Sequence, residues 1–180
     1  MPWLVTVPIT LLARSFGQYA FHFISHKNAL LWRLHRVHHC DAHLDATSAL
    51  RNHPLELIAS TAFVLPIILI FGLSPVVLAA FEAVEAIVNM LTHANIRIPD
   101  AVERLARPLF VTPALHRLHH SAFQAETDSN YGNVFSFWDR LFGTYRGDAR
   151  GSGASFRFGL DDVSRERAAN FAWQLKLPWS

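Results

Sequence analysis

Phe63-Val64-Leu65-Pro66-Ile67-Ile68-Leu69-Ile70-Phe71 is the densest part of a largely apolar stretch that runs from Leu55 to Phe71. The stretch stops at Gly72-Leu73, and Ser74-Pro75 restarts a helix, with a hydroxyl at the N-cap and proline at the first helical position. A second arm then runs from Val76 to about Thr92. Each arm has about the 17 to 20 residues needed to cross a bilayer core, so the pair reads as a tight transmembrane hairpin. A buried hairpin in a soluble protein would show the same apolarity.

Composition tilts the choice. Of the 180 residues 51% are hydrophobic and 17% charged, where a soluble domain carries about a quarter charged residues. Mean hydropathy is +0.19. The length suits one domain. A net charge of +2, with no basic run interleaved with aromatics, argues against nucleic acid as a partner. Cys40 is the single cysteine, so neither an intrachain disulfide nor a Cys-rich zinc knuckle can form.

A third apolar stretch, Trp3 to Ala13, is too short to span alone, and its start lacks the basic region of a signal peptide. It continues through Arg14, Gln18, His22 and His26, whose four-residue spacing places a polar stripe on one helix face. Lys27, Arg33, Arg36 and Arg51 precede the hairpin, Arg97, Arg104, Arg107 and Arg117 follow it, and its turn carries no basic residue. By the positive-inside rule, both flanking segments are cytoplasmic and the turn lies outside. From Arg146 to Ser155 the chain is Gly- and Ser-rich and reads as a loop. The end, Phe171-Ala172-Trp173-Gln174-Leu175-Lys176-Leu177-Pro178-Trp179, reads as interfacial. The expected organisation is a membrane domain over 1–145, then a polar loop and interfacial tail over 146–180.

Histidine is in excess, with eleven residues against sixteen Lys plus Arg. His22-Phe23-Ile24-Ser25-His26 is H-x-x-x-H. His35-Arg36-Val37-His38-His39 is H-x-x-H-H, and His116-Arg117-Leu118-His119-His120 repeats it. Spacings of three and four put these rings on one helix face, so each segment can aim several nitrogens at one point. One H-x-x-x-H could be a surface pair; two copies of H-x-x-H-H in so short a chain call for a common purpose. Neutral imidazole suits Fe, Cu, Ni and Zn, and eight histidines exceed the roughly six ligands of one octahedral ion. Two metals sharing the clusters is the economical reading.

The second hairpin arm adds Glu82, Glu85, Asn89 and His93 at i, i+3, i+7 and i+11. Ionisable groups inside a membrane segment are costly and mark a functional interior. His93 is the candidate ninth ligand. Asn89 is a tenth, or a partner of one, and Glu82 and Glu85 could orient ligand imidazoles through their other ring nitrogen. Contacts between helices would explain the two glutamates equally well. No H-E-x-x-H, nucleophile elbow, P-loop or dinucleotide fingerprint occurs, nor a Glu-x-x-His pair of the ferritin-like type.

These residues resemble the fatty acid hydroxylase and sterol desaturase superfamily, membrane non-haem di-iron enzymes. The resemblance runs from about Phe16 to Tyr145. It rests on Leu31-Trp32-Arg33-Leu34-His35-Arg36-Val37-His38-His39, Asn52-His53-Pro54-Leu55-Glu56, Thr92-His93-Ala94-Asn95 and His116-Arg117-Leu118-His119-His120-Ser121. Asp128-Ser129-Asn130-Tyr131-Gly132-Asn133 and Trp138-Asp139-Arg140-Leu141-Phe142-Gly143-Thr144-Tyr145 complete it. The resemblance implies an all-α membrane bundle whose cytoplasmic, histidine-rich cap holds two irons. It further implies hydroxylation or desaturation by O2 of a fatty acyl chain, sterol or carotenoid, with electrons from a separate ferredoxin- or cytochrome-type donor. Glu85, Asn89, His53 and Asp128 would be further ligands or partners of ligands; His53 reads as a positioning residue and His43 as a surface one. Zinc in place of iron would make the chain a non-catalytic paralogue. The sequence departs from the family in carrying Ser15 where an acidic residue is usual and Phe23 where Arg is usual. The resemblance further implies a first membrane hairpin ahead of the residues given, so the expectation is a domain shortened at its N-terminus.

Overall fold

The computed structural model describes residues 2–148 and 157–180, so most of the expected loop from Arg146 to Ser155 lies outside the described residues. Among those residues the chain is helical, with two isolated β-bridges and no strand.

Helix α1, Trp3–Lys27, is continuous across the apolar start and the polar stripe, so the expected short third stretch is the first half of a 25-residue helix. It ends where Asn28 leaves helical geometry and its side chain accepts from the backbone N–H of Leu30 and Leu31. That cap starts α2, Ala29–His39, which carries the first H-x-x-H-H. A 3-10 segment, Ala46–Leu50, leads to α3, Pro54–Phe71. His53 caps α3, accepting from Leu55 N–H, and Pro54 occupies the first turn.

The hairpin turn forms as its sequence requires. Gly72 sits at φ 56, a left-handed position that glycine occupies without a Cβ penalty. The Ser74 side chain then caps α4, Pro75–His93. Helices α3 and α4 have mean hydropathies of 2.1 and 1.6 and are apolar and long enough to cross a membrane. Their apolar windows are only 11% and 17% buried. Leu69, Ile70, Val76 and Ile87 point outward, which a hairpin in a soluble core would not allow.

Helix α1 packs against both arms. Gly17 permits the close approach to α3, since a Cβ there would stand 2.9 Å from Ile67 Cδ1. After α5, Asp100–Ala106, Thr112 caps α6, Pro113–His119, which presents the second H-x-x-H-H. Short helices α7, Gln124–Thr127, and α8, Phe137–Leu141, close the region around it.

The C-terminal residues fold back. Helices α9, Arg165–Ala168, and α10, Phe171–Gln174, with the 3-10 turn Leu177–Trp179, lie along α2. Ala168 and Leu177 bury against Val37 and Cys40, Arg51 donates to the Ala168 carbonyl at 2.7 Å, and Arg36 pairs with Asp162. Phe171 and Trp179 keep exposed rings on this segment.

Candidate metal centre

The bundle brings all nine histidines of the three clusters and α4 to one place and buries each of them. They fall into two groups, His22, His26, His35, His39 and His119, and His38, His93, His116 and His120. Within each group the nearest ring nitrogens all lie within 4.8 Å of one another, so each could hold a metal ion.

The two H-x-x-H-H segments cross between the groups. On α2 the pair four apart, His35 and His39, joins the first group while His38 joins the second. On the second segment His116 and His120 join the second group while His119 joins the first. Helix α1 completes the first group with His22 and His26, and α4 completes the second with His93.

Hydrogen bonding fixes the tautomers. Nδ1 of His22 lies 2.8 Å from the Tyr131 carbonyl, that of His38 3.2 Å from the Arg51 carbonyl, and that of His119 2.8 Å from the Ser129 carbonyl. His35 Nδ1 lies 2.6 Å from Glu56 Oε1, and His93 Nδ1 2.7 Å from the Asn89 carbonyl one turn back on α4. These oxygens only accept, so each Nδ1 donates and each Nε2 of a neutral ring is a bare lone pair. Yet His22 and His35 approach Nε2 to Nε2 at 3.1 Å, and so do His38 and His93. Two lone pairs at that distance repel unless a cation lies between them. Nitrogens bound at ~2.0–2.1 Å to one ion stand about 3 Å apart, so the spacing fits ligation.

A proton is a poor substitute for that cation. Burial, then the neighbouring His93, holds His38 well below the ordinary imidazole range. Burial likewise lowers His39, His116 and His120, each also facing other rings, and takes His119 down to about 3. Burial thus favours the neutral form of these five rings, the form a metal needs.

Two of these carbonyls, those of Ser129 and Tyr131, come from one loop held by buried hydrogen bonds. Asp139 accepts from the backbone N–H of Tyr131 at 2.7 Å and of Gly132 at 2.9 Å, and from Thr144 Oγ1 at 2.7 Å. Gly132 is confined, since a Cβ would meet the Phe135 carbonyl oxygen at 2.3 Å. Asn130, at φ 55, bonds through its side chain to the Leu115 and Arg146 carbonyls and to Arg146 N–H. The loop thus presents Ser129 and Tyr131 to rings on the second H-x-x-H-H segment and on α1.

The other candidates lie around this centre. His53 uses both ring nitrogens elsewhere, accepting from Leu55 N–H and facing the Leu175 carbonyl at 3.3 Å, and it belongs to neither group. His43 is exposed. Asp128 stands 3.5 Å from His26 Nδ1 and 2.9 Å from Lys27 Nζ. Of the two roles open to Glu82 and Glu85, the structure shows the contact between helices: both engage Arg14 on α1, and Asn133 donates to Glu85. The carboxylate on a ring nitrogen is that of Glu56, which the helical spacing did not single out. Its signal was its place in Asn52-His53-Pro54-Leu55-Glu56, three residues after the cap of α3.

The chain is 32% identical to the ornithine lipid hydroxylase OlsE of Rhizobium tropici, over 99% of its own length and 52% of that protein's. It is 30% identical to the alkylglycerol monooxygenase of Xenopus tropicalis and 29% to that of Homo sapiens, over 80% and 82% of this chain and 31% and 32% of theirs. It thus spans about half of the first relative and about a third of the other two. No solved structure matches it. Residues 7–144 match the fatty acid hydroxylase family, a span that contains α1 from its first turns, the α3–α4 hairpin and every histidine of both groups. The chain belongs to the fatty acid hydroxylase family.

Proposed function

We propose that the chain is the oxidising core of a membrane lipid hydroxylase or desaturase, with two irons held by the nine grouped histidines. The observation that carries this reading is the approach of Nε2 lone pairs at 3.1 Å within buried groups whose Nδ1 atoms are already committed to acceptors. The names of the relatives, a hydroxylase and monooxygenases of lipids, support the reaction class.

When bound, the irons supply the activation of O2 and the abstraction of hydrogen from carbon. Hydroxylation consumes one O2, two electrons and two protons per C–H oxidised and releases one water, the electrons coming from a separate donor protein. The chain's residues hold the metal positions, fix each ring by its Nδ1 bond and keep bulk water from the buried centre. In this reading the α3–α4 hairpin crosses the bilayer within a multi-pass bundle, and the basic residues on either side of it, among them Arg33, Arg36, Arg104 and Arg117, favour a cytoplasmic metal centre. Residues 1–145 form the membrane domain, and residues 146–180 a tail beside the interface.

Metal analysis of protein purified in a membrane mimetic, followed by incorporation of label from 18O2 into the lipids of an expressing host, tests this. Two irons per chain and labelled lipid are expected. Two zinc ions that iron does not replace, with no labelled product, would instead identify a non-catalytic relative.

A further inference from the structure

Two segments that flank the second H-x-x-H-H motif, 105–111 and 133–142, do not stay at the level of the histidines. Asn133 donates to Glu85 of α4 at 3.1 Å, and the Phe135 ring stacks on Phe81 of the same helix with centroids 6.1 Å apart. On α1, Ser15 accepts from the Trp138 indole at 3.1 Å, and Phe16 packs against both Trp138 and Phe142. Glu85 and Phe81 lie eight and twelve residues before His93, which at 1.5 Å per residue is about 12 and 18 Å toward the hairpin turn. Half of a bilayer's hydrocarbon core is about 15 Å thick. Residues 133–138 are therefore held near the middle of the span that α4 would occupy in a membrane.

The outer side of these segments is apolar. Leu105 is 83% and Leu141 67% exposed, against 78% and 60% for Ile70 and Ile87 of the hairpin. Leu109, Phe110 and Phe142 are exposed as well. The surface is continuous: Phe110 is linked to Phe142 through the rings of Phe135, Phe137 and Trp138, in centroid steps of 4.5 to 6.3 Å. Helix α5 buries none of its residues. A contiguous apolar surface of this kind marks an interaction site.

Irregular backbone can enter hydrocarbon only where its polar groups are satisfied within the protein. Here they turn inward. Val111 N–H donates to the Val134 carbonyl at 2.9 Å and Ser136 N–H to the Leu109 carbonyl at 3.0 Å. The Arg107 carbonyl accepts from Ser136 Oγ at 2.7 Å and from Arg140 Nη2 at 3.1 Å. Arg104 and Arg140 are exposed and adjoin Leu105 and Leu141 in sequence, so long cationic side chains stand where the apolar surface would meet headgroups.

We propose that residues 105–111 and 133–142 form a re-entrant wedge that enters the cytoplasmic leaflet beside α1 and α4. Its outer side contacts lipid acyl chains, with Arg104 and Arg140 reaching to the phosphate level. The inference rests on the proposed crossing of the bilayer by the α3–α4 hairpin and adds a second contact that enters one leaflet only.

Spin-label collision measurements on the metal-loaded chain, in nanodiscs of phosphatidylcholine and phosphatidylglycerol, test this. Leu109→Cys and Phe142→Cys are labelled singly, with Ile87→Cys on the hairpin as the lipid reference and Ala125→Cys on α7 as the aqueous one; Cys40 is buried. Dissolved O2 concentrates in hydrocarbon and a neutral nickel chelate in water, so the ratio of their collision rates reports depth. At Leu109→Cys and Phe142→Cys that ratio should exceed the Ala125→Cys value by about tenfold or more, as expected if excluding a polar solute from hydrocarbon is worth at least ~1.4 kcal/mol. Leu105→Cys supplies a further site if either label lowers metal content. A ratio like that of Ala125→Cys would overturn the inference. Low collision rates with both probes would also overturn it, since the cover would then be protein, such as a second copy of the chain. An aqueous ratio at Ile87→Cys would overturn the transmembrane hairpin itself. A lipid ratio there, with aqueous ratios at Leu109→Cys and Phe142→Cys, would overturn the wedge alone.

Discussion

Glu56, in the first turn of α3, accepts a hydrogen bond from Nδ1 of His35 on α2 at 2.6 Å. It ties the α3–α4 hairpin to the first histidine group by a carboxylate–imidazole contact, an arrangement that orients a ring and raises its basicity toward a metal. Glu56→Ala should weaken metal retention by about 10 to 100-fold, and Glu56→Gln, which keeps an acceptor oxygen, should lose less. Competitive titration against a chelator measures both. Wild-type retention in the alanine variant would mean that packing alone sets the His35 ring.

His119 and His43 separate grouped histidines from bystanders. His119 is fully buried in the first group and held by the Ser129 carbonyl at 2.8 Å, whereas His43 is exposed. His119→Ala should lower metal content by at least one ion per chain and abolish oxidation. His43→Ala should change neither. Elemental analysis of the two variants purified side by side decides, and equal losses would refute the grouping.

On α4 the acceptor for His93 Nδ1 is the backbone carbonyl of Asn89, not its side chain. Truncation of the Asn89 side chain therefore leaves His93 oriented. Asn89→Ala should keep both metals and lower turnover only through a cavity that Asn89 lines together with His22 and His38, whereas His93→Ala should lose metal from the second group. Two metals and full turnover in His93→Ala would reduce α4 to scaffold.

Topology can be read by cysteine accessibility, because Cys40 is buried and gives little background. A membrane-impermeant maleimide added outside intact cells should label Ser74→Cys in the hairpin turn and spare Ala125→Cys on α7. Ala125 is the better reporter of the cap because Ser121 is buried and would stay unlabelled on either side. Labelling of Ala125→Cys from outside would place the histidine groups on the wrong face for a cytoplasmic donor.

Much of this centre was legible in the chain because its determinants are local. The caps at Ser74-Pro75, the left-handed Gly72 and the three- and four-residue histidine spacings act within a turn or two, so spacing alone discloses them. The acceptors were not legible in this way. The Tyr131 carbonyl meets His22 across 109 residues, and a backbone oxygen leaves no mark on residue identity. The split of each H-x-x-H-H between two groups depends on how α2 faces α6, which periodicity does not encode. Spacing put Glu82 and Glu85 on one stripe with His93 and left open whether they meet imidazoles or another helix; Arg14 on α1 engages both, a choice that depends on tertiary packing. The same limit applies to the C-terminal residues: their Trp and Lys pattern suggested an interface, and the burial of Leu177 against Val37 came only with the tertiary structure.

The crossing of the two H-x-x-H-H segments has a thermodynamic corollary. Neither α2 nor α6 serves one position alone, so an ion bound in either group would restrain both helices and with them the rings of the other. The first ion would then bear more of the ordering cost and the second would bind to a site more nearly set, which is positive cooperativity transmitted by shared helices. Half-filled chains should be scarce at any metal concentration. Loss of one ion should then release the other, and the chain would pass between empty and doubly filled forms without a stable intermediate.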